Sequence, residues 1–436
     1  MARSFSIAMT AALAATVMSS LSALAQDKAF DGATIRLLTT NQPWDVELQK
    51  RAKAFEDKTG AKVEFDMYSL TQTAQKVAVE LASKSPAYDI VWVESSDVAR
   101  FAPGKFLEPL TAQVKDDAQY NLADLIPSTV KGFSVKDDLY GLPHFAATQI
   151  LYYRGDMFKE AGISGPPKTF DEFVEYCKKL PKPCTALRGK PSTSENVWYW
   201  TQIFLGNGAK WVKNYPDDMT PTINSPEAVK SVELYADLIK NYSIPGSISA
   251  SYDEVVAAMQ QGQIAMTIDG APLAGRMLDP ALSKVSGKLG FAVPPGGSAG
   301  TFAPFTAQGM SVNASSKNKE AAIAFLKWAT SKETMLDIAA NSSFVAVTRS
   351  SVWDDPAFKK KHGYDFGFGS FTEAYANTLR TADENYRLPI PEFRPMGDRV
   401  ALALQEVATG KRSAKEALDG AQADIEKMFK RANYIK

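Results

Sequence analysis

The chain has 436 residues, 45% of them hydrophobic and 11% aromatic, and its formal net charge is zero. This composition excludes an intrinsically disordered protein, and the length is too great for a single hydrophobic core, so two or three domains are expected. The balanced charge argues against nucleic acid as a partner, because phosphate binding requires a concentrated basic face.

The first 25 residues have the parts of an export signal. Arg3 supplies the positive charge, an apolar stretch covers residues 7–18, and Ala23-Leu24-Ala25 fits the small-x-small pattern that signal peptidase cuts. The apolar stretch is shorter than the roughly 20 residues of a membrane-spanning helix, and no cysteine follows the cut to carry a lipid. The sequence therefore predicts an exported mature chain that starts near Gln26 and does not insert into a membrane.

Strand and helix patterns alternate after this signal. Residues 33–38 and 88–93 are short apolar runs, and apolar side chains alternate over residues 63–67, as in strands. Between them, apolar residues recur at helical spacing over residues 48–55 and 74–81. This order of elements predicts an α/β protein with a parallel sheet and right-handed crossovers.

Polar residues follow two of these strands, where ligands of parallel sheets bind. The residues at these ends are Asn41, Gln42 and Trp44 after the first strand, and Glu94, Ser95 and Ser96 after the third. Trp44 could instead fill the core, although it stands in a polar turn. The two serines could equally cap the following helix, and both roles are compatible.

The two cysteines, Cys177 and Cys184, flank a loop that contains prolines. In an oxidising compartment this pair is predicted to form a disulfide, which would stabilise the fold by roughly 2–3 kcal/mol. Zinc is the weaker alternative, because His144 and His362 lack the spacing of zinc ligands. Neither a metal site nor a cofactor is predicted.

Several segments occur in the order that is typical of one family. They are Tyr140-Gly141-Leu142-Pro143 and residues 151–158, 167–173, 257–266 and 409–418. The series resembles the family 1 extracellular solute-binding proteins, the carbohydrate-type binding components of ABC importers. The resemblance covers essentially the whole mature chain.

The resemblance implies a type II periplasmic-binding-protein fold, in which two α/β lobes close around a solute like a Venus flytrap. Three crossings between lobes are expected near residues 143–150, 302–310 and 345–348. Lobe 1 would hold residues 26–145 and 306–346, and lobe 2 residues 146–305 and 347–436. The implied protein is a periplasmic monomer that binds a small carbohydrate, delivers it to the membrane permease of an ABC importer, and is not an enzyme.

The resemblance also implies a set of solute-binding residues at the strand ends, the crossings and the second lobe. They are Asn41, Gln42, Trp44, Ser95, Ser96, His144, Glu195, Trp198, Asp269, Gln308, Gly309 and Arg394. Trp198 could instead belong to the core, as could Trp200, and His144 could be structural. Asp269 could mark only a turn, and Arg394 a surface ion pair.

Departures from the family pattern favour a small solute. Ala271 and Pro272 stand where members that bind maltodextrins often have an aromatic residue, and Ala147 stands where many have a carboxylate. Met396 and Gly397 occupy the region where some members stack a tryptophan on sugar. These differences predict a monosaccharide, a small glycoside or a substituted sugar rather than a long oligosaccharide.

Two other solutes remain as alternatives. Arg394 together with His144 leaves room for an anionic group such as a phosphate, a sulfonate or a carboxylate. The paired tyrosines Tyr152 and Tyr153 could suggest an iron(III) carrier, although in this family's crossing they are expected to be hinge residues.

An exported serine hydrolase is the alternative of a different class. Residues 296–300 spell G-x-S-x-G around Ser298, and Asp354 and His362 follow in the order of an α/β-hydrolase triad. Such a nucleophile must lie on a strand that leads directly into a helix, but Pro294-Pro295 precede it. A Gly/Ser-rich loop is the favoured interpretation.

Overall fold

The computed structural model describes residues 28–193, 195–382 and 386–436, so the predicted signal peptide lies outside the described residues. Within these ranges, helices that are both long enough and apolar enough to cross a membrane are absent.

The main sheet contains the three strands that the sequence predicts near the start of the mature chain. Its order is β10–β6–β11–β3–β1–β2, with β9 also paired to β6, and β1 is parallel to both β2 and β3. The strands are β1 (Thr34–Thr40), β2 (Lys62–Tyr68), β3 (Ile90–Glu94), β4 (Ser134–Val135), β5 (Asp138–Leu139), β6 (Leu142–Arg154), β7 (Val212–Asn214), β8 (Asp218–Pro221), β9 (Met266–Gly270), β10 (Leu289–Ala292) and β11 (Phe305–Val312).

Helices cover the sheet and connect its strands. They are α1 (Pro43–Thr59), α2 (Leu70–Ala82), α3 (Ser95–Phe101), α4 (Thr111–Val114), α5 (Pro127–Gly132), α6 (Gly155–Glu160), α7 (Phe170–Lys179), α8 (Asn196–Gly206), α9 (Pro226–Asp237), α10 (Tyr252–Gln260), α11 (Ala274–Met277), α12 (Lys319–Ala329), α13 (Lys332–Asn341), α14 (Ser350–Trp353), α15 (Pro356–His362), α16 (Phe371–Thr381), α17 (Phe393–Ala408) and α18 (Ala414–Arg431).

The long strand β6 joins the two lobes. Its first half pairs with β11, which in turn pairs with β3, and so belongs to lobe 1. Its second half pairs with β9 and β10 and belongs to lobe 2. Leu151 and Tyr153 contribute to a core formed with α7, α8, α9, α17 and α18, whereas Ile150 and Tyr152 contribute to the core that extends into lobe 1. The protein therefore has the expected two-lobe α/β architecture.

Three chain segments lie side by side where the lobes meet, at the predicted crossings. The first and second segments pair as strands, with Phe305 of β11 opposite Thr148 of β6. The third segment is attached to the first, because the backbone N–H of Ala146 donates to the carbonyl of Ala346 at 3.0 Å. The Thr348 hydroxyl, on the same segment, donates to the carbonyl of Pro143 at 2.8 Å.

Residues beyond the third crossing still contact lobe 1. The buried Arg349 forms an ion pair with Asp124 at 3.2 Å and donates to the carbonyl of Thr330 at 2.7 Å. Ser351 also donates its hydroxyl to Asp124, at 2.7 Å. The contacts between the chain and lobe 1 thus continue beyond residue 346. The predicted lobe boundary at that residue stays a prediction.

The disulfide prediction is confirmed. Cys177, in the last turn of α7, is bonded to Cys184 in the following loop, and their Cα atoms are 5.3 Å apart. Both side chains are fully buried in the core of lobe 2.

Candidate functional site

A cavity of about 330 Å³ lies between the lobes at the carboxyl end of β3. Lobe 1 contributes Glu94, the start of α3 and residues 131–136, β11 contributes Phe305 and Thr306, and lobe 2 contributes residues 386–389. Ser95 and Ser96, both predicted as binding residues, are half-buried in its wall. They begin α3 at the strand end where the sequence analysis expects a ligand.

An ion pair connects the two walls of this cavity. Glu94 ends β3, and its Oε1 atom accepts a hydrogen bond from Nη1 of Arg387 at 3.1 Å. Nη2 of Arg387 donates to the carbonyl of Thr193 at 3.3 Å, which holds the arginine on lobe 2. Both charged groups are buried, so the pair spans the cleft with little exposure to water.

Tyr386 provides a second polar contact between the same walls. Its hydroxyl and that of Thr306 in β11 are 2.9 Å apart, and its carbonyl accepts from the indole N–H of Trp211 at 2.7 Å. Burial raises the pKa of Tyr386 to about 12, although Arg387 and hydrogen bonds to Thr306 and Trp198 oppose that rise. The phenol is therefore neutral at physiological pH and is a donor as well as an acceptor.

Predicted residues of lobe 2 assemble around an arginine that the sequence analysis missed. Nε of Arg188 donates to Asp269 at 3.1 Å, its Nη1 contacts Glu195 at 3.3 Å, and its guanidinium lies 4.5 Å from the ring centre of Trp198. Asp269 is fully buried, and burial is also the main cause that raises the pKa of Glu195, against the opposing charge of Arg188. The cluster is adjacent to the cavity, because the side chain of Trp198 lies close enough to Tyr386 to lower the pKa of its phenol.

Trp44 and His144 lie in the core of lobe 1. Trp44 is only 1% exposed, and its ring stacks on that of His144 at a centroid distance of 5.1 Å. Burial lowers the pKa of His144 to about 3, so its imidazole is neutral. Among the described residues, neither Nδ1 of His144 nor Nε1 of Trp44 has a hydrogen-bond partner. Both residues therefore fit the alternative in which Trp44 fills the core and His144 is structural. His144 offers no positive charge to an anionic solute.

The remaining predicted residues surround the cleft at different depths. Asn41 is exposed and Gln42 is half-buried at the carboxyl end of β1. Gln308 is buried in β11 directly opposite Glu94 of β3. A Cβ at Gly309 would meet the ring of Phe133 at 2.6 Å, so close packing explains this glycine.

Arg394 stands apart from the buried residues. It is exposed at the start of α17, and its carbonyl accepts from the hydroxyl of Thr193 at 3.2 Å. Its charge is among those that oppose the burial-driven rise in the pKa of Asp97 on lobe 1. Arg394 is thus an exposed residue of lobe 2 whose charge reaches Asp97 on lobe 1, whereas His144 is buried.

The proposed triad of a hydrolase does not assemble. Ser298 lies in an exposed turn after β10, and its hydroxyl faces the carbonyl of Asn207 at 3.5 Å. His362 is buried, with Nε2 at 2.8 Å from the carbonyl of Ala339, whereas Asp354 is exposed beside Lys359. The strand-to-helix elbow that this chemistry requires is also missing at Ser298.

The paired tyrosines do not face a common site. The hydroxyl of Tyr152 donates to the carbonyl of Gly270 at 2.8 Å, whereas that of Tyr153 donates to the carbonyl of Phe368. Within the described part of the chain, clusters of His, Cys, Asp and Glu suited to a metal ion are absent. The geometry gives no support to an iron carrier.

Comparisons with known proteins agree with this architecture. The family model described as bacterial extracellular solute-binding protein matches residues 40–336. The mannitol-binding protein of Pseudomonas aeruginosa is 27% identical, and the match covers 92% of this chain and 94% of that protein.

Two solved structures with bound polyols are similar over nearly the whole chain. An ABC transporter solute-binding protein from Agrobacterium vitis with bound D-mannitol has a TM-score of 0.82 and 27% identity, covering 93% of this chain and 100% of that one. A solute-binding protein from Agrobacterium radiobacter in complex with ribitol has a TM-score of 0.82 and 29% identity, covering 92% and 100%.

Proposed function

The chain belongs to the bacterial extracellular solute-binding proteins, and on that premise we propose that it is the periplasmic binding component of an ABC importer for a small, uncharged polyol. It captures the solute between its lobes and releases it chemically unchanged to the membrane permease. The export signal predicted at residues 1–25 is consistent with this location, and a monomer is sufficient for the task.

The observation that carries the proposal is the pairing of charge in the cleft. Arg387 meets Glu94, and Arg188 meets both Asp269 and Glu195, so both buried arginines already have anionic partners. A hydroxyl-rich neutral solute can exchange hydrogen bonds with such groups without leaving a buried charge uncompensated. Relatives with bound D-mannitol and ribitol support the same solute class.

Size and shape also favour a short polyol. The cavity of about 330 Å³ is at the small end of the roughly 300–1,000 Å³ typical of ligand pockets. Trp198 offers an apolar face for C–H groups, while Ser95, Ser96 and Gln308 offer hydrogen-bonding atoms. We propose these residues as direct contacts, with Asn41 and Gln42 approaching from lobe 1 and Arg394 from lobe 2.

Other predicted residues have positioning roles in this proposal. Asp269 and Glu195 orient Arg188, and the stack of Trp44 on His144 supports the floor of lobe 1. Gly309 allows the crossing strand to approach Phe133. Contacts from both lobes exist together only when the cleft is closed, so the solute shifts the equilibrium between open and closed forms toward closure.

Calorimetric titration of the mature chain tests the solute class. We expect the tightest binding to D-mannitol, ribitol or another alditol, weaker binding to D-glucose, and none to maltose, with the solute recovered unaltered. Small-angle scattering should show compaction with the same alditols. Failure of every alditol to bind, or recovery of a hydrolysed or oxidised product, would overturn the proposal.

A pair of variants on one helix separates binding from stability. Trp198→Phe removes the indole N–H and part of the apolar face beside the cavity, and should weaken alditol binding at least about tenfold. The matched control is Trp200→Phe, because Trp200 is fully buried in the core of lobe 2 and donates to Ser231 at 3.0 Å. The control should lower the unfolding midpoint and leave the affinity unchanged.

A further inference from the structure

The ion pair between Glu94 and Arg387 determines the charge that the cavity presents to a solute. Both residues line the cavity, and their side chains are only 12% and 7% exposed. A charge in so poorly hydrated a place is costly without a partner. Loss of either member would therefore leave the other without its hydrogen-bonded counter-charge beside the solute.

Arg387 retains donor capacity beyond its bond to Glu94. Nη1 donates one N–H to Glu94 and Nη2 donates one to the carbonyl of Thr193, which leaves a second N–H on each nitrogen, and the buried Nε has no hydrogen-bond partner among the described residues. The guanidinium also lies 5.0 Å from the ring centre of Tyr386, which limits its reorientation. Because Arg387 lines the cavity and each Nη has a second N–H, a neutral hydroxyl can accept from this arginine without displacing Glu94.

An anionic solute would meet a different environment. Its carboxylate would have to compete with Glu94 for Arg387 while lying beside it, and Asp97, on the same helix as the two serines of the cavity wall, adds a second acidic group near Glu94. Like charges at such distances repel strongly where water is excluded. Lys131 and Lys136 also line the cavity, but both are exposed, so solvent screens their attraction.

We propose that Glu94 is a specificity-determining residue, which excludes the carboxylate counterparts of the polyol by neutralising Arg387. This inference rests on the proposed function and adds to it the means of discrimination by charge. The ion pair that distinguishes neutral from anionic solutes thus joins the two lobes at the cavity itself.

The test compares D-mannitol with D-mannonate, the aldonate that differs by oxidation of one terminal carbon. Glu94→Gln keeps the shape of the side chain but leaves the charge of Arg387 unpaired. We expect the affinity for D-mannonate to rise at least about tenfold over the wild type, with a gain that diminishes as salt increases, and no gain for D-mannitol.

A control at the second ion pair isolates the effect. Glu195→Gln removes a carboxylate of similar burial, but Arg188 keeps its bidentate partner Asp269. This variant should not gain D-mannonate binding. An equal gain in both variants, or none in Glu94→Gln, would overturn the assignment.

The opposite variant keeps the test decisive if Glu94→Gln does not fold. Arg387→Gln leaves the carboxylate of Glu94 unpaired, so it should bind the cationic aminodeoxymannitol more tightly than the wild type does. No gain there would also count against the inference. Because charged analogues are titrated independently of D-mannitol, failure of the wild type to bind any alditol would reject the proposed function separately.

Discussion

Asp45 and His144 are buried in the same lobe and respond to pH in opposite directions. Asp45, in the first turn of α1, accepts hydrogen bonds from the hydroxyls of Thr39 and Thr40, yet burial raises its pKa to about 7. Burial lowers the pKa of His144 to about 3. In the folded protein Asp45 is therefore neutral between about pH 4 and pH 7, where the unfolded chain ionises it. His144 is neutral between about pH 3 and pH 6.5, where the unfolded chain protonates it.

Asp45→Asn should reveal the cost of ionising the buried carboxyl. Between about pH 4 and pH 7 the folded protein keeps a proton on Asp45 that the unfolded chain releases, so this group makes stability fall as pH rises, by up to about 1.4 kcal/mol per pH unit. The variant lacks this term. Urea unfolding should show it gaining stability relative to the wild type from pH 5 to pH 7, whereas a difference independent of pH would contradict the prediction.

His144→Phe should have the reverse effect while preserving an aromatic ring against Trp44. The unfolded chain protonates His144 below about pH 6.5, and the folded protein does so only near pH 3, so this group removes stability as pH falls. The wild type should therefore lose more stability than the variant between pH 7 and pH 4. Parallel unfolding curves for the two proteins would refute this, and the double variant with Asp45→Asn should return toward the wild-type slope.

The local sequence pattern predicts where some of the site residues lie. It cannot predict ion pairs between residues that are far apart in the chain. Trp44 stands in a polar turn, but it also begins a stripe with Leu48, Ala52 and Phe55, all buried on one face of α1. That spacing indicates its core position. By contrast, Arg387 meets a carboxylate 293 residues away, and Arg188 one 81 residues away. Only the folded chain brings such pairs together.

At the scale of elements, strong local patterns predict the structure well. In the final helix α18, Leu418, Ala421 and Ile425 recur at helical spacing and are fully buried, and the last fully buried residue of the helix is Phe429. Ser413 and Glu416 form a capping box that fixes its start. Short elements such as β4, β5 and α11 carry too little periodicity to be predicted, because their ends depend on neighbouring loops.

The disulfide connects the last turn of α7 to the following loop within the core of lobe 2, and neither cysteine lines the cavity. Replacing both Cys177 and Cys184 by serine should lower the free energy of unfolding by roughly 2–3 kcal/mol, because the unfolded chain gains freedom. Alditol affinity should be unchanged, since neither residue lines the cavity. Urea unfolding and calorimetry measure the two effects, with the reduced wild type as control. Loss of affinity without loss of stability would contradict this separation.

At the scale of the whole molecule, the two lobes also contact each other away from the chain crossings. Gly275 of α11, the helix that follows β9 of lobe 2, approaches Ser343 of lobe 1 so closely that a Cβ on the glycine would lie 3.3 Å from the Cβ of the serine. This separation is near the roughly 3.5–4.5 Å found between bonded cysteines. The place is well suited to linking the lobes covalently.

Cysteines introduced together at Gly275 and Ser343 should form a disulfide that holds the lobes in the arrangement described here. Because solute entry and exit require the lobes to separate, oxidation should slow both association and dissociation of an alditol at least about tenfold, and scattering should no longer show compaction. Reduction should restore wild-type rates, and each single cysteine should exchange solute normally under either condition. Unchanged rates in the oxidised double variant would show that the solute is exchanged without relative motion at this contact, and the hinged-cleft mechanism would then need a different axis.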